Sequence, residues 1–229
     1  MNAKTCTRRS VRIEIHSSSG LRNRVVSPPK WTRPAGSWGY PNRLWQKWLA
    51  VPFAILMLLA TPTFADDDAV LARLQEPGTV LLLRHALAPG TGDPPGFQID
   101  DCTTQRNLSE AGREQARALG QRLRAAGVLQ ARVYSSRWCR CLETAELLAI
   151  GPVQPEPALD SFFQRRAEGP ARTAAAQEKL RALPPGQPIV MVTHQVNISA
   201  LTGEFTSSGA GVIIRVASDG EQEIVGRLR

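Results

Sequence analysis

The 229-residue sequence is poor in histidine (three) and cysteine (four), and neither type clusters with metal-ligand spacing. The close pair Cys139 and Cys141 has no second pair to complete it, which argues against a zinc module. A G-x-x-x-x-G-K stretch is missing, so a P-loop nucleotide site is excluded. There is no internal repeat. The apolar run Leu49 to Ala60 has twelve residues, whereas a transmembrane helix needs roughly 17–25. Positive charge is also scarce where a fold is expected. The formal net charge is +8, yet ten of the 28 Lys and Arg precede residue 66, beside a single acid, Glu14. Residues 66–229 carry 18 basic and 19 acidic residues, so no overall field draws that part to nucleic acid. What is there suffices for a core: 42% of residues are hydrophobic and 21% charged.

The two halves meet at what reads as a secretion signal. Arg43 and Lys47 precede the apolar run, T-P-T-F-A follows it, and Asp66-Asp67-Asp68 comes next. A basic flank, a short apolar stretch and a small-residue site ending at Ala65 predict a signal peptide over 43–65 and export, to the periplasm in a bacterium. The alternative is an uncleaved segment that anchors the chain to the membrane. Residues 1–42, rich in Ser, Pro, Arg and Trp without periodicity, form an irregular basic extension of the kind a start codon placed too far upstream produces.

Residues 66–229 have the length of one domain. Thr79 to Leu83, Arg132 to Ser135 and Ile189 to Thr193 read as strands, the first and last as buried ones. Ser109 can cap a helix running to about Ala126, with Ala111, Ala116, Leu119 and Leu123 along its inner face and Gly127 as its stop. Further helices are expected over 138–150, closed by Gly151-Pro152, and over 171–183, ended by Pro184-Pro185-Gly186. Pro152 to Pro157 reads as coil, and 212–217 pairs with 223–228 as a terminal hairpin. Strands alternating with helices predict an α/β fold: a single three-layer domain with a mostly parallel central sheet flanked by helices.

The only histidines of this domain, His85 and His194, each follow a buried strand directly, in L-L-L-R-H and V-M-V-T-H. Ligand sites of open α/β sheets lie outside the carboxyl ends of the strands, so the two can face one cleft. A third strand ends at Ser135-Ser136 and delivers R-W-C-R-C-L-E-T-A into a helix start. Arginines there oppose the helix dipole, an arrangement that makes sense if an anion sits between them.

R-H after a leading strand, S-S-x-x-x-R-x-x-x-T-A after a middle one, T-H after a late one and N-L-S-E-A-G-R-E-Q-A at 107–116 together resemble the histidine phosphatase (phosphoglycerate mutase-like) superfamily. The likeness spans nearly all of 78–215, and T-H-Q-V-N is most similar to small exported members. It implies a histidine phosphatase-like domain over 66–229, with His85 as nucleophile forming a phosphohistidine. Arg84, Arg140 and His194 would bind the phosphate, Arg140 rather than Arg137 holding the motif's arginine position four residues before Thr144. It implies no metal and no cofactor. In the resembled mutases an acid follows a leucine as L-x-E; here the segment is Leu159-Asp160-Ser161, and Asp160, one residue off register, is the expected proton donor, kept protonated against Phe162 and Phe163. Glu168 and Glu204 are the other candidates. Ala86 replaces the family's glycine and is expected to narrow the pocket; Gln195 stands where many members have glycine.

The function implied is an exported, metal-independent phosphatase for a small or envelope-attached phosphomonoester. The alternatives are a non-catalytic phosphate-binding module on the same fold, or a mutase-like isomerase. The expected partner is that substrate, with neither nucleic acid nor a membrane span after cleavage. Residues 87–101 and 152–168 would cover the pocket, and Arg165-Arg166 would either meet a second anionic group or be solvated. Cys139 occupies the variable position beside Arg140, whereas Cys141 replaces the motif's usual alanine on the buried side, which favours a Cys102–Cys139 disulfide with Cys141 free.

Overall fold

Strand β1 (Thr79–Arg84) is apolar through its middle because both of its faces are covered. Leu81 and Leu83 point into one core, Val80 and Leu82 into the other, as the alternation of a strand requires. The computed structural model describes residues 63–184 and 186–229. The expected extension over 1–42 and all but the last three residues of the expected signal segment lie outside them.

Six strands form one sheet in the order β3-β2-β4-β1-β5-β6, with β2 at Arg132–Ser135, β3 at Val153–Pro155, β4 at Ile189–Thr193, β5 at Gly211–Val216 and β6 at Gln222–Leu228. β3, β2, β4 and β1 run parallel; β5 returns antiparallel along β1 and pairs with β6 as the expected hairpin. One face carries α1 (Thr63–Ala72), α2 (Glu110–Ala125) and α3 (Cys139–Leu148), whose Leu71, Leu119, Leu123, Ala145 and Leu148 pack on Leu81, Val133, Val190 and Ile213. The opposite face carries α4 (Gly169–Arg181) and α5 (Gln195–Thr202), whose Leu180 and Ile198 meet Leu82, Met191 and Val212. This is the three-layer α/β domain that the strand–helix alternation predicts.

Several boundaries differ from the expectation. Ser109 caps α2, its Oγ accepting from Gly112 N at 3.1 Å, but the inner face includes Gly112 and Gly120, and Ala111 is exposed. α3 stops at Leu148 rather than at residue 150. Arg124 donates to the carbonyls of Leu148 and Ala149, and Ala149 turns left-handed (φ 52°) so that the Ile150 carbonyl can accept from Ala131 N. α4 begins at Gly169, two residues early, because Pro170 fits the first turn of a helix. Val153–Pro155, expected as coil, is a short edge strand, a place where proline is tolerated. Helices α1 and α5 were not expected; α1 runs through the expected cleavage site after Ala65.

Two glycines set how closely α2 packs. A β-carbon on Gly120 would stand 2.2 Å from the Leu148 carbonyl oxygen, and one on Gly112 would stand 2.1 Å from that of Leu87. Alanine at 120 gains helix propensity, about 1 kcal/mol, but forces α2 and α3 apart. Gly120→Ala should therefore destabilise the domain by roughly 1–3 kcal/mol, read as a lower urea midpoint. A midpoint at or above wild type would contradict this packing.

Candidate active site

The sheet register brings three chain segments to one point. Arg84 pairs with Thr193, and Ser135 with Val192, so His85, His194 and Ser136 each stand one residue beyond neighbouring parallel strands. Backbone bonds continue the ladder past the strand ends: His85 N donates to Thr193 O at 3.0 Å and Ser136 N to Val192 O at 2.9 Å. The two imidazoles are buried and meet edge to face with centroids 5.5 Å apart, and Trp138 packs on His194 at 5.4 Å.

The His85 ring has a fixed orientation. Its Nδ1 is 2.8 Å from the Ala86 carbonyl oxygen, which only accepts, so Nδ1 carries the proton and Nε2 keeps its lone pair. Burial, then the charge of Arg140, hold His85 down at about 3, against the smaller upward pull of the Ala86 carbonyl, with Arg106 and Arg84 adding to the depression. His194 is held well below its usual range by burial and by Arg140, His85, Arg106 and Arg84. Both rings are neutral near pH 7 and line one cleft with Arg84, Arg106 and Arg140.

The three guanidiniums are held from separate directions. Arg84 donates from Nη1 to Thr206 O at 2.7 Å. Arg106 donates to the Gly92 carbonyl at 2.7 Å and to the Ala88 carbonyl. Arg140 grips Asp93 end-on, Nη1 to Oδ1 at 2.7 Å and Nη2 to Oδ2 at 3.1 Å, and both side chains are buried. Asp93 also accepts from Arg106 N at 3.1 Å and Trp138 Nε1 at 3.0 Å. Burial pushes its carboxyl up, but the hydrogen bonds and charge of Arg140, with those two donors, outweigh this and hold it below its usual range. Because Asp93 takes the end of the fork, the side face of Arg140 stays open, and its buried Nε–H has no partner; nor has that of Arg84. A concave site with unsatisfied guanidinium donors, two neutral imidazoles and a fully bonded carboxylate suits an oxyanion.

A disulfide between Cys102 and Cys139, as expected, ties the loop that holds Arg106 to the first residue of α3; Cys141 is free and buried. Gln105 Oε1 accepts from Cys139 N at 3.0 Å, supplying the cap that Trp138 does not provide. Burial pushes the Cys141 thiol up to about 12 despite Arg140, and its sulfur lies 3.4 Å from His194 Nε2.

The structure thus brings His85, His194, Arg84 and Arg140 together, and leaves Arg137 outside the cleft. It corrects the proton donor. Asp160 does not line the cleft; it is fully buried behind it, and its two oxygens accept from Arg137 N (2.9 Å), Arg137 Nε (2.9 Å), Arg137 Nη2 (2.6 Å) and Ser136 Oγ (3.3 Å). Phe163 does not cover it but is partly exposed, beneath Arg166. Glu168 pairs with Arg165 and Arg172, and Glu204 with Arg227; neither lines the cleft. Ala86 narrows nothing, since its side chain packs with Ala88, Leu108 and Ala116. Asp93 and Arg106 were missed. Arg106 stands a fixed three residues before the Ser109 cap, which is its one sequence signal; Asp93 has none, lying among Gly and Pro.

Residues 80–178 match the family model described as the histidine phosphatase superfamily (branch 1). Among solved structures, a protein assigned as the phosphohistidine phosphatase SixA of Nakamurella multipartitia is similar, with 18% identity, a TM-score of 0.50, and coverage of 67% of this chain and 96% of that one. The phosphoserine phosphatase of Entamoeba histolytica, in complex with 3-phosphoglyceric acid, gives 14% identity and a TM-score of 0.50 over 66% of this chain and 96% of that one. At such identities the likeness is one of fold. No curated protein matches the sequence.

The disulfide closes a long loop, with 37 residues of sequence separation. Chain-entropy reasoning puts its contribution at roughly 4 kcal/mol. Reduction, or Cys102→Ser with Cys139→Ser, should lower the unfolding free energy by about that amount, measured by urea denaturation with and without reductant. Superimposable curves would show that the crosslink does not constrain the chain.

Proposed function

We propose that the domain, which matches the histidine phosphatase superfamily model over residues 80–178, is a histidine phosphatase that hydrolyses a phosphomonoester through a phosphohistidine on His85 without a metal. The observation that carries this reading is the bare Nε2 of His85, on a ring lining a cleft where the Nε–H groups of Arg84 and Arg140 have no partner among the described residues. A neutral imidazole is a competent nucleophile, and capture on His85 splits a difficult displacement into two easier steps. Arg84, Arg106 and the open face of Arg140, beside the His194 ring, neutralise the charge that spreads over the equatorial oxygens during transfer.

Export belongs to the same proposal. The apolar run before Ala65, the basic flank and a disulfide, which persists in oxidising compartments, all support it. The substrate is then a small or envelope-attached phosphorylated compound. One observation favours a second reading, a phosphate-binding module without turnover: among the described residues the one carboxylate lining the cleft, Asp93, is fully bonded and has no proton to give.

Turnover of an aryl phosphate by the full chain separates the two. His85→Ala should abolish it, and Arg84→Ala should lower kcat by about 10²–10³-fold, the usual loss for one transition-state donor. Acid quenching during turnover should degrade, and alkaline quenching preserve, one phosphate per chain, absent in His85→Ala. Phosphate binding by the wild type with no hydrolysis would favour the binding module, and full activity in His85→Ala would end the covalent mechanism.

A further inference from the structure

Behind the cleft, a chain of buried polar groups runs from His194 to Arg137, and its hydrogen bonds have one consistent direction. His194 Nε2 is 2.9 Å from Ser136 Oγ, and Ser136 Oγ is 3.3 Å from Asp160 Oδ1; Ser136 and Asp160 have no exposed surface. Trp138 N donates to the same Oγ at 3.3 Å. Ser136 has a single proton to share between the imidazole and the carboxylate. If it pointed at His194, two oxygens would face each other at 3.3 Å with no proton between them. If it points at Asp160, Ser136 Oγ accepts from Trp138 N–H and from His194 Nε2–H, and every contact is a hydrogen bond. The bidentate Arg137 holds Asp160 ready to accept. The Cys141 sulfur, 3.4 Å from Nε2 and 3.6 Å from the Thr193 carbonyl, fits the same arrangement, its S–H donating to the carbonyl.

The consequence is a tautomer opposite to that of His85. With the proton on Nε2, the lone pair of His194 is on Nδ1, the ring nitrogen that Ser136 leaves free, and the ring lines the cleft. Two imidazoles with one bare nitrogen each thus line one site, while among the described residues no carboxylate lining it has a free oxygen. We propose that His194 is the proton-transfer residue of this site, working through Nδ1, and that Ser136 and Asp160 are positioning residues that fix its tautomer.

This rests on the phosphatase reading, and the steps balance within it. With substrate bound, Nδ1 holds a proton taken from solvent. The His85 N–P bond forms as the ester P–O bond breaks, and that proton passes to the leaving oxygen, giving the alcohol. Water then attacks the phosphohistidine: an O–P bond forms, the N–P bond breaks, and a water proton returns to Nδ1. One water is consumed and no other reactant is needed. The groups facing His194 are Arg84 at the end of β1 and His85 just beyond it, Asp93 and Arg106 from the 87–108 loop, and Arg140 and Cys141 from α3. Burial first, then the guanidiniums, oppose a protonated ring, and a phosphate dianion among the guanidiniums offsets their share.

Leaving-group dependence of kcat/KM tests the proposal in the full chain, with p-nitrophenyl phosphate and glycerol 2-phosphate as substrates. A nitrophenolate leaves without a proton; an alkoxide does not. Ser136→Ala should lower kcat/KM about 10²-fold on the alkyl ester, at the low end for a positioned acid, and no more than about 5-fold on the nitrophenyl ester. Asp160→Asn should repeat that split. A merely structural role would lower both alike, and equal losses would overturn the relay. Independently of activity, nitrogen-15 correlation spectra of the wild type, with only three histidines to assign, should show His194 protonated at Nε2. A proton at Nδ1 of the neutral ring would overturn the proposal. If the wild type hydrolyses neither ester, the phosphatase reading falls first and takes the relay with it.

Discussion

Three guanidiniums converge on two neutral imidazoles at the carboxyl ends of β1 and β4, and the rest of the domain is arranged to keep that charge in place. Buried cations are tolerable only when paired and hydrogen-bonded. Asp93 supplies the pairing: it neutralises Arg140, ties it to the backbone of Arg106 and anchors Trp138, which packs against His194. Breaking such a buried pair by removing one partner typically costs about 3–5 kcal/mol. Asp93 is therefore as much a part of the cleft as the groups that would touch a ligand. Burial, with the charge of the same guanidiniums, lowers both histidines and keeps them neutral, the state in which an imidazole can act as a nucleophile.

The constraint reaches into the fold through covalent and close-packed ties. The loop after His85 would be free to swing, since it is rich in Gly and Pro, but the Cys102–Cys139 bridge and the Gln105 bond to Cys139 N fasten its far end to α3. The helix that begins there carries Arg140, so loop and helix position Arg106 and Arg140 together. Gly112 lets α2 lie directly against the carbonyl of Leu87, at the near end of the same loop. Behind the sheet ends, the 159–161 segment is fastened to β4 and α5 by Thr193 Oγ1, donating to Leu159 O, and by Asn197 Nδ2, donating to Asp160 O. That attachment keeps Asp160 beneath His194.

Features governed by short-range chemistry were legible in the sequence. Buried strands, a serine cap before a helix, histidines and an arginine directly after strand ends, and the cysteine beside Arg140 each follow from neighbours in the chain. Features that depend on contacts distant in sequence were not. Asp93 meets Arg140 across 47 positions. Asp160 was expected as the acid because it follows Leu159 where the resembled mutases carry theirs, with Phe162 and Phe163 near it in sequence; its neighbours in space, Ser136 and Arg137, come from just beyond β2, 24 and 23 positions away. α5 escaped notice because no side chain caps its start, which is His194 itself, and because its eight residues show little amphipathic pattern. β3 was hidden by prolines that an edge strand accepts.

The central claim is that burial, reinforced by the guanidinium field, holds His85 as a neutral imidazole with its proton on Nδ1. Following the His85 ring by nitrogen-15 NMR in the unliganded full chain, from about pH 8 to about pH 3, tests this most directly. The account predicts an Nδ1–H imidazole that stays neutral through the usual titration range near 6.5 and gains a second proton only towards about 3. A midpoint near 6.5, or a neutral ring protonated at Nε2, would contradict it.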